Sequence, residues 1–288
     1  MKMSKGFTLL ELMIAITLGL LITAASIMLF LSVSRNYSAQ KANSDIQGNG
    51  VFGVPHMLRQ LREVPSEGGV LLNDKGNQAD GTNFTVGTNS DVLTVRYIVK
   101  PSQMLANNNN LVTCQGITIQ SILTNQLNDQ IIEAQKDETD EVKKQKIAND
   151  LKANFNFDQP ITVIEQYYLR QNGINCRALV NNNNLPALTA NTIGTLIIPS
   201  VDYFHVQLIT RNQGLFKNID LPTNLAAGNQ VVGLQIGILL RSAHQIQGAS
   251  YINTANNIQV LNNSISLNTG ASSQLLRQVV VQTIAIRN

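Results

Sequence analysis

Glu11 is a lone carboxylate inside an otherwise apolar run from Phe7 to Val33. A charged side chain held in lipid without a partner costs about 2–4 kcal/mol or more, so a carboxylate kept there implies a partner cation and a function. The segment before the run, MKMSKG, is short, basic and polar and carries Lys2 and Lys5. Two cysteines, Cys114 and Cys176, complete the reactive side chains. An even pair behind an export signal suggests one disulfide made in an oxidising compartment, the alternative being two unrelated buried thiols.

Enzyme chemistry finds little support. The three histidines, His56, His205 and His244, are dispersed, with none at metal-ligand spacing. No G-x-S-x-G, H-E-x-x-H or glycine-rich phosphate loop occurs. His205 alternates with polar neighbours in a predicted strand and reads as a surface residue rather than a base. Asp137, Glu138, Asp140 and Glu141, followed by Lys143, Lys144 and Lys146, lack the glycine turn of a calcium loop. They read as a solvated helix or mobile insertion, with its charges ordered as a helix dipole favours. The expectation is a protein that is no enzyme, with no cofactor and no metal site. The formal charge of +3 falls to about +1 without Lys2 and Lys5, and Trp is absent. Nucleic acid is therefore not indicated as a partner.

These residues must be placed by the elements around them. The run from Phe7 to Val33 forms a helix about 40 Å long, enough to cross a hydrocarbon core of about 30 Å. The lysines precede it and no basic cluster follows at once, which puts the N-terminus in the cytoplasm and the body outside. Residues 34–64 continue as an amphipathic helix, with Tyr37, Ala42, Ile46, Met57, Leu58 and Leu61 at helical spacing. Gly48, Gly50, Gly53 and Pro55 interrupt the pattern and predict a kink or break near Val54. Period-two alternation predicts strands at 92–99, 161–170, 201–210, 231–241 and 278–287, and the Asn-rich runs 107–110 and 181–184 read as loops. The pattern suits an antiparallel sheet with one face against the helix.

Lys5-Gly6-Phe7-Thr8-Leu9-Leu10-Glu11-Leu12-Met13-Ile14 resembles the class III signal of type IV prepilins and of type II secretion pseudopilins. The resemblance implies an α+β type IV pilin fold, with a long N-terminal helix packed on an antiparallel β-sheet head. It implies a leader at 1–6, a membrane-spanning or filament-core helix at 7–33, an amphipathic helix at 34–64 and a β-rich head at 65–288. A prepilin peptidase would cut between Gly6 and Phe7 and N-methylate Phe7. Glu11 would then be the fifth residue of the mature chain, an assembly charge satisfied by the N-terminal amine of a neighbouring subunit. Displacing a subunit would leave both charges unpaired, so the pair would set axial register.

A second, narrower resemblance lies in the body. Asp91-Val92-Leu93-Thr94-Val95-Arg96-Tyr97, Tyr168-Leu169-Arg170 leading to Cys176-Arg177, Val231 to Ser242, and Val281 to Asn288 are similar to stretches of PilW-type minor pilins. The charged insertion at about 120–159 is longer than that family needs. The resemblance implies a minor pilin of a type IV pilus, in the tip complex that primes assembly. Its expected partners are other minor pilins, the major pilin, the prepilin peptidase, the inner-membrane assembly platform and, before assembly, membrane lipid. The expected location is the bacterial inner membrane, single pass with the head periplasmic, then the pilus tip. It also implies that Cys114 and Cys176 staple the head. The alternatives are a J-type pseudopilin of type II secretion and a tip adhesin or DNA-binding subunit. Twitching motility is one process such pili serve.

Overall fold

The computed structural model describes residues 8–63, 70–74, 90–106, 111–154, 159–170, 173–181, 194–212, 214–220, 230–246, 257–266 and 275–285. The chain opens with α1 (Leu9–Gly48), passes through a π-helical turn (Asn49–Gly53) and continues as α2 (Val54–Glu63). Thr8 starts it as an N-cap whose hydroxyl accepts the Glu11 N–H. The predicted interruption is a change of hydrogen-bond pattern and not an end. Pro55 lies just past the π-helical turn, and the widened turn upstream accommodates its ring and missing N–H within the continuous helix.

Strands β1 (Val70–Asp74), β2 (Val92–Val99), β3 (Ile161–Arg170), β4 (Gly173–Asn181) and β5 (Thr195–Pro199) make one antiparallel sheet in that spatial order. A second antiparallel sheet has the order β11-β8-β6-β7, from β6 (Val201–Asn212), β7 (Leu215–Asp220), β8 (Gln230–Gln245) and β11 (Leu275–Ala285). The strands β9 (Asn257–Val260) and β10 (Asn263–Ser266) form a separate hairpin. The head thus holds two sheets where the alternation suggested one. Ser200 makes the corner. It separates β5 from β6, has φ 57°, and its carbonyl accepts the Arg241 N–H at 2.8 Å. One left-handed residue thereby hands the chain from one sheet to the other.

A single core lies between the sheets. Leu93, Val95, Val163, Tyr167 and Ile198 meet Phe204, Val206, Leu234, Ile236 and Ile238, all buried. Met57, Leu58 and Leu61 of α2 close it on the helix side. The charge cluster 137–146 lies largely exposed, but the segment that leads into it contributes to the core. Together they form α4 (Ile119–Ala134) and α5 (Glu141–Asn154), and Ile119, Leu123, Leu127 and Ile131 bury against the core. Gln126, itself buried, donates from Nε2 to the Val180 carbonyl at 2.8 Å. The charges lie at the surface of α5 and at the end of α4, paired as Lys144–Glu141 at 2.8 Å and Lys136–Glu133 at 3.2 Å. The helical period that places Leu127 and Ile131 inward was masked by those charges. Between β2 and α4, α3 (Pro101–Ala106) is a short connector.

Candidate functional site

At the helix N-terminus, Glu11 and Thr8 form a capping box. Glu11 Oε2 accepts the Thr8 N–H at 2.9 Å and the Thr8 hydroxyl at 3.0 Å. The Glu11 N–H returns to Thr8 Oγ1 at 3.3 Å. The carboxylate therefore covers amide groups of its own helix end, a place the helix dipole favours for an anion, and it stays exposed. Gly6 and Phe7, the expected cleavage and methylation positions, lie outside the described residues.

From Leu9 to Val33 the helix is apolar all round and projects away from the head, with Leu12, Ile16, Leu20 and Phe30 each more than half exposed. Among the described residues this helix alone is long and apolar enough to cross a membrane. An apolar surface of that extent needs lipid or other apolar helices to cover it.

The second half of the helix grips the head through four successive contacts. Ala42, fully buried, packs with Ile246 and Leu276. One turn on, Asp45 Oδ2 meets His244 Nδ1 at 2.9 Å. Gly50 and Gly53 of the π-helical turn then bring the backbone against both sheets. A Cβ on Gly50 would lie 3.3 Å from Leu240 of β8, and one on Gly53 would lie 3.1 Å from Ile198 of β5. The glycines that looked like helix breakers are thus contact points where the helix seats on one strand of each sheet.

Inside the head, Cys114 and Cys176 are joined by a disulfide, with their Cα atoms 6.1 Å apart and a sequence separation of 62. Both half-cystines are buried. Beside them is a group the sequence reading missed. Glu165, on β3 and only 3% exposed, accepts the Cys114 N–H at 2.8 Å and the hydroxyls of Tyr97 and Tyr167, both at 3.2 Å. Burial pushes its carboxyl above the ordinary carboxylate range, against the pull of the three donors. The two phenols are raised as well, first by burial and then by the Glu165 charge. The signal was in the sequence: Glu165 keeps step with Ile161, Val163 and Tyr167 on the inward face of an alternating strand.

The outward face of the same sheet carries a polar ladder of cross-strand partners. Gln166 Nε2 donates to Thr94 Oγ1 at 3.2 Å and Arg177 Nε donates to Gln166 Oε1 at 2.6 Å, all three residues buried. His205, expected at the surface, is fully buried under the β9–β10 hairpin and pairs with Asp91 at 2.6 Å. Among the described residues no cluster of His, Cys, Asp and Glu is suited to a metal ion.

A family model for the prokaryotic N-terminal methylation motif matches residues 1–27. No curated protein sequence matches the chain. A type IV-like pilin from Thermus thermophilus is similar in structure over 81% of this chain and 93% of its own, at 11% identity and a TM-score of 0.36. The chain thus carries a prokaryotic N-terminal methylation motif at its start, a long apolar helix behind it, and antiparallel sheets on which the second half of that helix is seated.

Proposed function

We propose that the chain is a PilW-type minor pilin, made as a prepilin and assembled into the tip complex that primes a type IV pilus. The observation that carries this reading is the methylation motif on a helix whose apolar surface is uncovered from Leu9 to Val33. The leader 1–6 is removed between Gly6 and Phe7, and Phe7 is N-methylated. The helix first anchors the head in the inner membrane and then joins the apolar centre of the filament. There Glu11 exchanges its contact with Thr8 for the N-terminal amine of a neighbouring subunit, which fixes axial register. The large two-sheet head suits an end position, since in a shaft its bulk would recur at every step.

Mass spectrometry of the N-terminus from membranes tests the processing. A mature chain beginning at N-methyl-Phe7, present only in cells with the prepilin peptidase, is the expected result. An intact Met1, or a cut beyond Val33, refutes it. Deletion should abolish surface pili and spare enzyme secretion; the reverse pattern would assign the chain to a type II secretion pseudopilus instead.

A further inference from the structure

The turn of the β9–β10 hairpin rests on the outer face of the four-stranded sheet, over Gly237 and His205, which are cross-strand partners on β8 and β6. The glycine leaves a notch: a Cβ there would lie 2.8 Å from Val260 Cγ1 and 2.9 Å from Leu261 Cγ. Leu261 and Asn262, the two residues that connect β9 to β10, turn over it. Leu261 has φ 55°, a left-handed conformation that costs a non-glycine residue roughly 1–2 kcal/mol. Such strain persists only where the surroundings impose it. Here it accompanies the placement of Asn262 and Asn263 against the imidazole.

His205 and Asp91 are both fully buried. His205 Nδ1 lies 2.6 Å from Asp91 Oδ2, which also accepts the Val206 N–H at 2.9 Å. On the other side, Nε2 lies 2.9 Å from Asn262 Oδ1 and 3.3 Å from Asn263 Nδ2. Oxygens facing both ring nitrogens call for two N–H donors, and only the imidazolium has two. In the neutral ring, with the proton on Nδ1 toward Asp91, Nε2 is an acceptor and repels Asn262 Oδ1. It then accepts from one N–H of the Asn263 amide, whose other N–H donates to Tyr203 Oη at 2.9 Å, and the contact with Asn262 is lost. Among the described residues the titratable groups facing the ring are Asp91, just ahead of β2, and Tyr203 of its own strand, with ring centroids 6.2 Å apart. β8 presents Gly237 and the hairpin presents the two asparagines.

We propose that His205 is a proton-dependent latch on the β9–β10 hairpin. The imidazolium holds Asn262, and loss of its proton weakens that hold and raises the fraction in which the turn lifts from the apolar patch of Tyr203, Leu239 and Val279 beneath. Because docking favours the charged ring, docking is fully present at low pH and is lost as pH rises.

Hydrogen exchange of the full-length protein in detergent micelles tests this. Peptides covering 257–266 are followed from about pH 5.5 to about pH 8.5, the histidine range, each rate being divided by that of the unfolded chain at the same pH. Protection should fall roughly tenfold across the range, equivalent to ~1.4 kcal/mol, and His205→Gln should abolish the dependence. Asn262→Asp, at an exposed position, should move the midpoint upward because a carboxylate holds the cation more tightly. That variant decides the matter even where His205→Gln fails to fold. Protection of 257–266 that is flat with pH in the native protein, that keeps its pH dependence in His205→Gln, or that keeps its midpoint in Asn262→Asp overturns the latch.

Discussion

Glu165 offers a stability test whose sign follows from its position. Its carboxylate sits between the sheets with three donors and 3% exposure. Because burial raises its folded-state titration above the unfolded value, its contribution to stability is fully present below the unfolded pKa of about 4.3. That contribution is lost as pH rises through the higher folded value. Glu165→Gln keeps an oxygen for Cys114 N–H and Tyr97 and removes the charge, while its amide asks the Tyr167 hydroxyl to turn and accept. The substitution should lie within about 1 kcal/mol of wild type at acidic pH, and relative to wild type it should gain stability as pH rises. Glu165→Ala instead leaves one N–H and two hydroxyls without their acceptor. At about 1–3 kcal/mol for each buried unpaired group, it should lose at least ~3 kcal/mol at every pH. The assay is denaturant unfolding of the detergent-solubilised chain at a series of pH values, read as the difference between wild type and Glu165→Gln so that surface carboxylates cancel. A difference that does not change with pH, or that shifts in favour of wild type as pH rises, refutes the argument.

Reducing the Cys114–Cys176 disulfide, which spans 62 residues, should lower head stability by about 4 kcal/mol on the chain-entropy estimate; a paired Cys114→Ser and Cys176→Ser variant that unfolds at the wild-type denaturant midpoint would contradict this. Gly53→Val, with Ile198 3.1 Å from the added Cβ, should cost about 1–3 kcal/mol by overpacking, measured as a lowered thermal midpoint. Glu11→Ala should leave membrane insertion intact and abolish incorporation into filaments, compared by immunoblotting of membrane and sheared-filament fractions. Asp45→Ala removes a half-exposed pair with His244 and should change stability by less than ~1 kcal/mol, a small shift in the same unfolding assay.

The parts of the fold legible in the sequence were those with a period and a length. The alternation of 92–99 and 161–170 survives residue for residue in β2 and β3, while the apolar run to Val33 and the alternation of 231–241 fall within the longer α1 and β8. What escaped was set by distant chain. β5, β7, β9 and β10 are each six residues or fewer, too short for alternation to declare itself. His205 has the sequence pattern of an outward strand position, and it does face outward; a hairpin more than 50 residues later in the chain covers it. Gly50 and Gly53 read as helix breakers because the sheet side chains they admit, Leu240 and Ile198, cannot be seen locally. At the N-terminus the motif identified Glu11, and the structure added that Thr8 is its partner within the chain.

The track of α1 along β8 governs how the head would carry load. Ala42 meets Ile246, Asp45 meets His244 and Gly50 meets Leu240, so the helix advances about 12 Å while the strand runs back about 20 Å. The two elements run in opposite senses over this stretch and cross at an angle. Tension applied through the N-terminal span therefore pulls along the interface and not away from it. The apolar contact, the Asp45–His244 contact and the two glycine seats are strained together. A subunit built this way would transmit axial force from helix to head as a lap joint does, and would fail abruptly at a high load.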